Sequence, residues 1–507
     1  MQRDKDEAPP GRPARARNIV RGIGFLSIQG VLSAFLGFVL LGSLLRFLPS
    51  LSYGAFSALQ VSIGIAGTLS IFGVNAAVVR FLAPAASQEG ASGWGLAKAS
   101  LGLTIIFSTV VSLVLVIAAP YLSDYFMKSP SWSWVFYLGA LWLLTSSVAT
   151  VFQGMLQAVR KYSLLAKVLL ASRAVSVVFA VIGLVVFQSL AAAILSWVVY
   201  SVLIIAVALA TTWRPLLAAS SKQQYSRILR YAVPLGMAAV VASLASSADI
   251  VVVGGYLNPI SLGVYNATVV ISSVVSSLFV APLSTALFAE TSFSSETHAE
   301  VSRGVSLALR FVLLTVLPVS LFAAAVAPQL FYLFSGGGTF AEGIPYLELI
   351  TLFYLFLAAE TTAIYVLQGV GKTRQVLIIG LITALGEIGL SVSLVPFLGL
   401  EGAAISRVTI FIVGCALSLY YIRSYLKGAT NFRFLAKAVV SGGIPGAVVF
   451  ALSSVVSNRV LTLVPYTILG VLIFFGCARV LRLFSEEDRS FVVHLLPSRM
   501  EWIVRLL

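Results

Sequence analysis

Apolar runs of about twenty residues or more follow one another from residue 19 to residue 482, and charge is confined mostly to the breaks between them. A helix needs about 20 apolar residues to cross the hydrocarbon of a bilayer. Fourteen such runs are predicted: 19–47, 54–82, 95–120, 131–156, 164–187, 190–213, 228–255, 262–289, 303–327, 344–368, 375–397, 401–423, 434–457 and 461–482. Only 10% of the 507 residues are charged and 59% are hydrophobic, against about 25% charged in a soluble domain. The expected class is an all-α polytopic membrane protein with multiple spans. Its two cysteines, Cys415 and Cys477, lie inside apolar runs, and its two histidines, His298 and His494, stand alone. Neither a disulfide framework nor a metal centre is therefore expected.

The net charge of +15 is explained by topology. An even number of spans puts both termini on one side. Arg3, Arg15, Arg160, Lys161, Arg214, Arg227, Lys372, Arg374 and most other bases gather there, whereas the opposite side holds Arg46, Lys128 and Arg459. Basic residues concentrate in cytoplasmic loops, so both termini of a multi-pass protein of the cell membrane are expected in the cytoplasm. Anionic headgroups are a secondary attraction, and nucleic acid is not an expected partner. Residues 489–507, "RSFVVHLLPSRMEWIVRLL", read equally as short interfacial amphipathic helices or as a frayed tail.

The chain also repeats itself. "LQAVRK" at 156–161 returns as "LQGVGK" at 367–372, and "AAAI" at 191–194 as "GAAI" at 402–405, both 211 residues on. "LSYGAFSA" (51–58) meets "ISLGVYNA" (260–267), and "NIVRG" (18–22) meets "RILRY" (227–231), both 209 residues on. Self-similarity in one order at nearly one offset indicates duplication. The predicted organisation is a basic tail (1–17), an N-lobe of six spans (18–215), a C-lobe of six (216–425), two added spans (426–484) and a C-terminal tail (485–507). Six is even, so the copies share one orientation and flank a central cleft, an arrangement suited to alternating access.

Three stretches resemble a known family. "ADIVVVGGYLNPISLGVYNAT" (248–268), "LFSGGGTFAEGIPYLELITL" (333–352) and "LQGVGKTRQVLIIGLITALGEIGLSVSLVPFLGLEGAAIS" (367–406) resemble, in order, segments of the Wzx-like polysaccharide flippases of the MATE/MOP superfamily. The resemblance covers about residues 18–425. It implies movement of an oligosaccharide on a polyprenyl phosphate or diphosphate from the inner to the outer leaflet. Lipid-linked oligosaccharide and membrane lipids are then the implied partners, with glycan-biosynthesis enzymes as further associates and a monomer as the working state. Serine- and glycine-rich spans such as 27–46 and 267–290 suit either tight helix packing or a polar sugar path. Pro234 and Pro282 mark candidate hinges.

Ionisable groups at membrane depth are costly and mark function or pairing. Arg46, Arg80, Arg310 and Glu290 fall near span ends, where snorkelling accounts for them. Arg173, Asp249, Glu360, Glu387 and Arg407 lie deeper. A guanidinium fork matches phosphate oxygens, which makes Arg173, with Arg46 or Arg80, the candidate headgroup binders. Pairing of Arg173 with a carboxylate is the competing reading. All the intramembrane carboxylates fall in the second repeat. Asp249, Glu360 and Glu387 are candidates either for coupling to Na+ or H+ or for tying helices together; Arg407 is a further intramembrane charge of unassigned role. No cofactor is expected.

Three function classes compete: the flippase, an ion-coupled exporter of small cationic compounds on the same fold, and a membrane glycosyltransferase. An enzyme would want paired carboxylates on a long external loop, and none is seen; a Walker motif is also lacking.

Overall fold

The computed structural model describes residues 12–86, 91–219, 225–275, 298–426, 432–455, 460–481 and 483. Among them are seventeen α-helices, and the fold is that of an all-α polytopic membrane protein. They are α1 Arg12–Phe47, α2 Ser50–Ile71, α3 Val74–Ala86, α4 Ala91–Met127, α5 Ser133–Ala158, α6 Tyr162–Phe187, α7 Leu190–Ala218, α8 Tyr225–Tyr256 and α9 Pro259–Val275. After these come α10 His298–Ala325, α11 Ala327–Ser335, α12 Ile344–Leu352, α13 Tyr354–Gly369, α14 Thr373–Leu398, α15 Leu400–Ile422, α16 Phe432–Val455 and α17 Leu463–Val480.

Eleven of the described helices are long and apolar enough to cross a membrane, and two bent pairs bring the count to thirteen. The remaining predicted run, 262–289, is described only where α9 covers it. Outward side chains of the described spans are apolar, as lipid contact requires: Val178 is 58% exposed, Ile182 55% and Phe397 86%.

Both bends have local causes. α10 and α11 meet at 68°. Pro328 in the first turn of α11 has no N–H to give the carbonyl four residues back. α12 and α13 meet at 45°, where Thr351 Oγ1 donates back to the carbonyls of Leu347 and Glu348 at 2.6 and 3.2 Å. Such back-bonding bends helices.

The duplicated motif is a duplicated turn. α6 and α14 both have 26 residues and begin 211 residues apart, and α5 stands at the same offset from α12 plus α13. Ahead of α6, Lys161 N–H bonds Leu156 O; ahead of α14, Lys372 N–H bonds Leu367 O. This bond, spanning five residues, is the signature of a left-handed helix cap. Arg160 takes φ 59° where its counterpart Gly371 takes φ 77°. Only the second copy has the residue that suits the conformation.

Chain contacts define two compact units. One comprises Met1–Leu48, Ser62–Asp124 and Ser129–Val240; the other comprises Pro49–Val61, Tyr125–Lys128 and Val241–Leu507. In the first, Val151, Phe152, Met155 and Leu156 of α5 pack with Leu165 and Ala208, while Val74, Leu96, Ile228 and Ala232 gather α3, α4 and α8. In the second, Val305, Val366, Ile379 and Ile422 join α10, α13, α14 and α15. The second unit also draws in the start of α2 and the end of α4. Asn266 Nδ2 donates to Ser57 Oγ and Gln60 Oε1 at 3.1 and 3.2 Å, and Lys128 Nζ donates to Gly255 O at 2.6 Å.

Candidate functional site

The second unit holds a buried ionic cluster. Asp249, on α8, is 0% exposed. Arg407 of α15 grips its carboxylate through Nε to Oδ2 at 2.6 Å and Nη2 to Oδ1 at 2.7 Å. Tyr265 of α9 donates its hydroxyl to Oδ2, and the Ile250 amide donates to Oδ1 at 2.9 Å. Arg407 Nη2 also reaches Ser246 O at 3.3 Å. A two-pronged arginine–carboxylate pair with added donors is the geometry in which a buried ion pair offsets its desolvation.

Glu387 of α14 lies close enough to interact electrostatically with Asp249, Arg407 and Tyr265. Its Oε1 is buried with no hydrogen-bond partner. Two carboxylates facing one guanidinium carry a net charge of −1 unless Glu387 binds a proton or a cation joins it. Glu360 is separate. On α13 it is 8% exposed and lies against Gly414 of α15, where any β-carbon would overlap the carboxylate.

Arg173 of α6 has different surroundings in the first unit. Its guanidinium carbon sits 4.3 Å from the centre of the Trp197 ring and 5.9 Å from that of Tyr200, both on α7. Trp142 of α5 stacks against Trp197 at 5.0 Å and 19°. α1 passes alongside with Gly37, where an added β-carbon would lie in ordinary contact 3.6 Å from Arg173 Nη2. Among the described residues no acid lies within ion-pair distance of Arg173. Trp197 Nε1, a donor, and Ser176 Oγ, one turn from Arg173 on α6, are both buried without partners.

The competing reading of Arg173, a carboxylate partner, is not seen among the described residues: its partners there are ring faces, which attract a cation through their quadrupole. The grouping of Arg173 with Arg46 or Arg80 is not seen either. Arg46 is exposed in the last turn of α1. Arg80 is exposed on α3, its guanidinium 4.6 Å from the centre of the Tyr231 ring. Arg310 lies 4.7 Å over Phe434. Pro234 sits inside the continuous α8, near the α2–α3 break: a β-carbon on Gly236 would crowd Phe72. Pro282 and Glu290 fall outside the described residues.

Tyr265 is a member of the cluster that composition and hydropathy do not single out, although the repeat carries its signal. The counterparts of Asp249, Tyr265, Glu387 and Arg407 in the first copy are Leu40, Phe56, Ser176 and Ser196. Four positions that meet in space are neutral in one copy; in the other, three are charged and one gains a hydroxyl.

A bundle of this kind, with polar clusters buried among its helices and apolar faces outside, defines a multi-pass membrane protein. Similar solved structures include "Lipid II flippase MurJ, inward closed conformation", at TM-score 0.71 and 15% identity, over 90% of this chain and 98% of that one. A multidrug resistance MATE family transporter in an inward-facing conformation matches at TM-score 0.63 and 18% identity, over 80% and 98%. A MOP superfamily transporter from Pyrococcus furiosus matches at TM-score 0.56 and 18% identity, over 81% and 96%. No curated protein matches by sequence. The family model described as "Polysaccharide biosynthesis protein" matches residues 43–337, more than half of the chain. The chain belongs to that family.

Proposed function

We propose that this protein flips a lipid-linked oligosaccharide, carried on a polyprenyl phosphate or diphosphate, from the cytoplasmic to the outer leaflet by alternating access. It does so without a chemical step, in the cell membrane and with both termini cytoplasmic. The observation that carries the proposal is Arg173, a cation at membrane depth with no acid near it among the described residues. Beside it, Trp197 Nε1 offers an unused donor. A donor-rich, acid-free place calls for an anion, and a phosphate fits a guanidinium fork. Contact with the Trp197 ring, 4.3 Å away, holds the guanidinium, and a guanidinium on a ring can still donate through its N–H groups. The family match and the resemblance to a lipid II flippase support this reading.

Export of small organic cations is the less favoured alternative, because Arg407 and Tyr265 already occupy the Asp249 carboxylate. For the same reason we place proton or cation coupling at Glu387, whose Oε1 has no partner, and give Asp249 the structural task of holding Arg407. Glu360 stays a second candidate for coupling.

The test is reconstitution of the full chain in liposomes with a polyprenyl-diphosphate-linked oligosaccharide, scored for sugar exposed on the opposite leaflet. Protein-dependent transfer is expected, falling roughly 10- to 100-fold in R173A, as the loss of one or two charge-assisted hydrogen bonds implies. Transfer no faster than in protein-free liposomes, or unchanged transfer in R173A, would overturn the proposal. Efflux of an organic cation in place of glycan transfer would favour the exporter.

A further inference from the structure

The first unit contains a basic cavity that no role given above requires. It measures about 450 Å³ and is lined by Phe81 of α3 and by Ser226, Arg227, Arg230 and Tyr231 of α8. Pockets that take small molecules run from about 300 to 1,000 Å³. Its cations are held in a chain of rings. The Arg80 guanidinium lies 4.6 Å from the Tyr231 ring centre, Tyr231 meets Phe81 edge to face at 5.5 Å, and the Arg227 guanidinium lies 4.6 Å from the Phe81 ring centre. Phe81 and Tyr231 pack in turn on the core that joins α3, α4 and α8, so a rigid base fixes the arginines. A guanidinium lying on a ring still has its N–H edge to offer. Among the described residues no acid pairs with Arg80, Arg227 or Arg230.

The cavity lies where α8 passes from polar to apolar sequence. Arg227 and Arg230 occupy its first two turns, and an apolar run follows. Basic residues at that level meet headgroups. The same chemistry attracts a free phosphate, but a site at the margin of a span favours the lipid. We infer that this cavity is a binding site for the phosphate headgroup of an anionic membrane lipid, separate from Arg173 and independent of what the protein transports.

Native mass spectrometry of the full chain tests it, counting lipids retained from mixed micelles of phosphatidylglycerol and phosphatidylcholine. Wild type should retain phosphatidylglycerol preferentially. R227A/R230A should lose the tightest adduct, its affinity roughly fivefold weaker per arginine removed, while the melting temperature of these exposed positions stays unchanged. K161A/R374A removes two bases expected in the cytoplasm, neither of which lines the cavity, and should leave retention intact. Equal retention by R227A/R230A and wild type, or equal loss in K161A/R374A, would overturn the site as a built one. Displacement of the lipid by millimolar inorganic phosphate would overturn the assignment to a lipid.

Discussion

Two arginines at membrane depth solve the same problem in opposite ways. Arg407, in the second unit, is clasped by Asp249 through two hydrogen bonds, with Tyr265 completing the carboxylate's set. Arg173, in the first, lies on indole and phenol rings and has no acid beside it among the described residues. A closed pair is committed to the protein. An open guanidinium leaves its N–H edge for something else. The difference teaches that charge at membrane depth is no single signal: one arginine joins two helices through a carboxylate, and the other rests on aromatic rings.

The comparison breaks most visibly if Arg407 is removed. Arg407→Met leaves Asp249 buried and uncompensated, which should cost about 3–5 kcal/mol. It should appear as a large loss of thermal stability in detergent. Adding Asp249→Leu should restore most of it, because both charges are then gone. A single variant as stable as wild type would mean that the pair holds nothing together.

Arg173→Met should behave in the opposite sense. Only a cation–ring interaction is lost, about 0.5–2 kcal/mol, and the cost of holding an unpaired charge at membrane depth disappears with it. Stability should change little while transfer collapses. A destabilisation as large as that of Arg407→Met would make Arg173 a structural residue, and the contrast between the units would fail.

The smallest effect lies in the duplicated turn. Arg160→Gly relieves a left-handed conformation that costs a side chain about 1–2 kcal/mol, so a modest gain in melting temperature is expected. Gly371→Ala should lose a similar amount. Equal and opposite shifts would confirm that the two turns are energetically equivalent.

Much of this molecule was legible before its structure. Apolar length marked the spans, since a bilayer imposes that length on any helix. The repeats were visible because corresponding turns need corresponding residues, as Lys161 and Lys372 show. The deep charges were also plain, because no other charged residue lies within five positions of any of them. What each charge touches was not legible. Asp249 and Arg407 stand 158 residues apart, and sequence periodicity does not reach across that distance. The same holds for Arg173, whose ring partners are on the next helix but declare themselves only once α6 and α7 have packed. Tyr265 and Asp249 are on successive helices, and only the packing of α8 against α9 brings the hydroxyl to the carboxylate.

Sequence alone therefore determined the class, the spans, the duplication and which residues would be expensive to bury. Tertiary structure decided which of those costs are met inside the protein and which are left open. The reason is physical: burial is imposed residue by residue by the solvent, whereas compensation depends on which helices become neighbours.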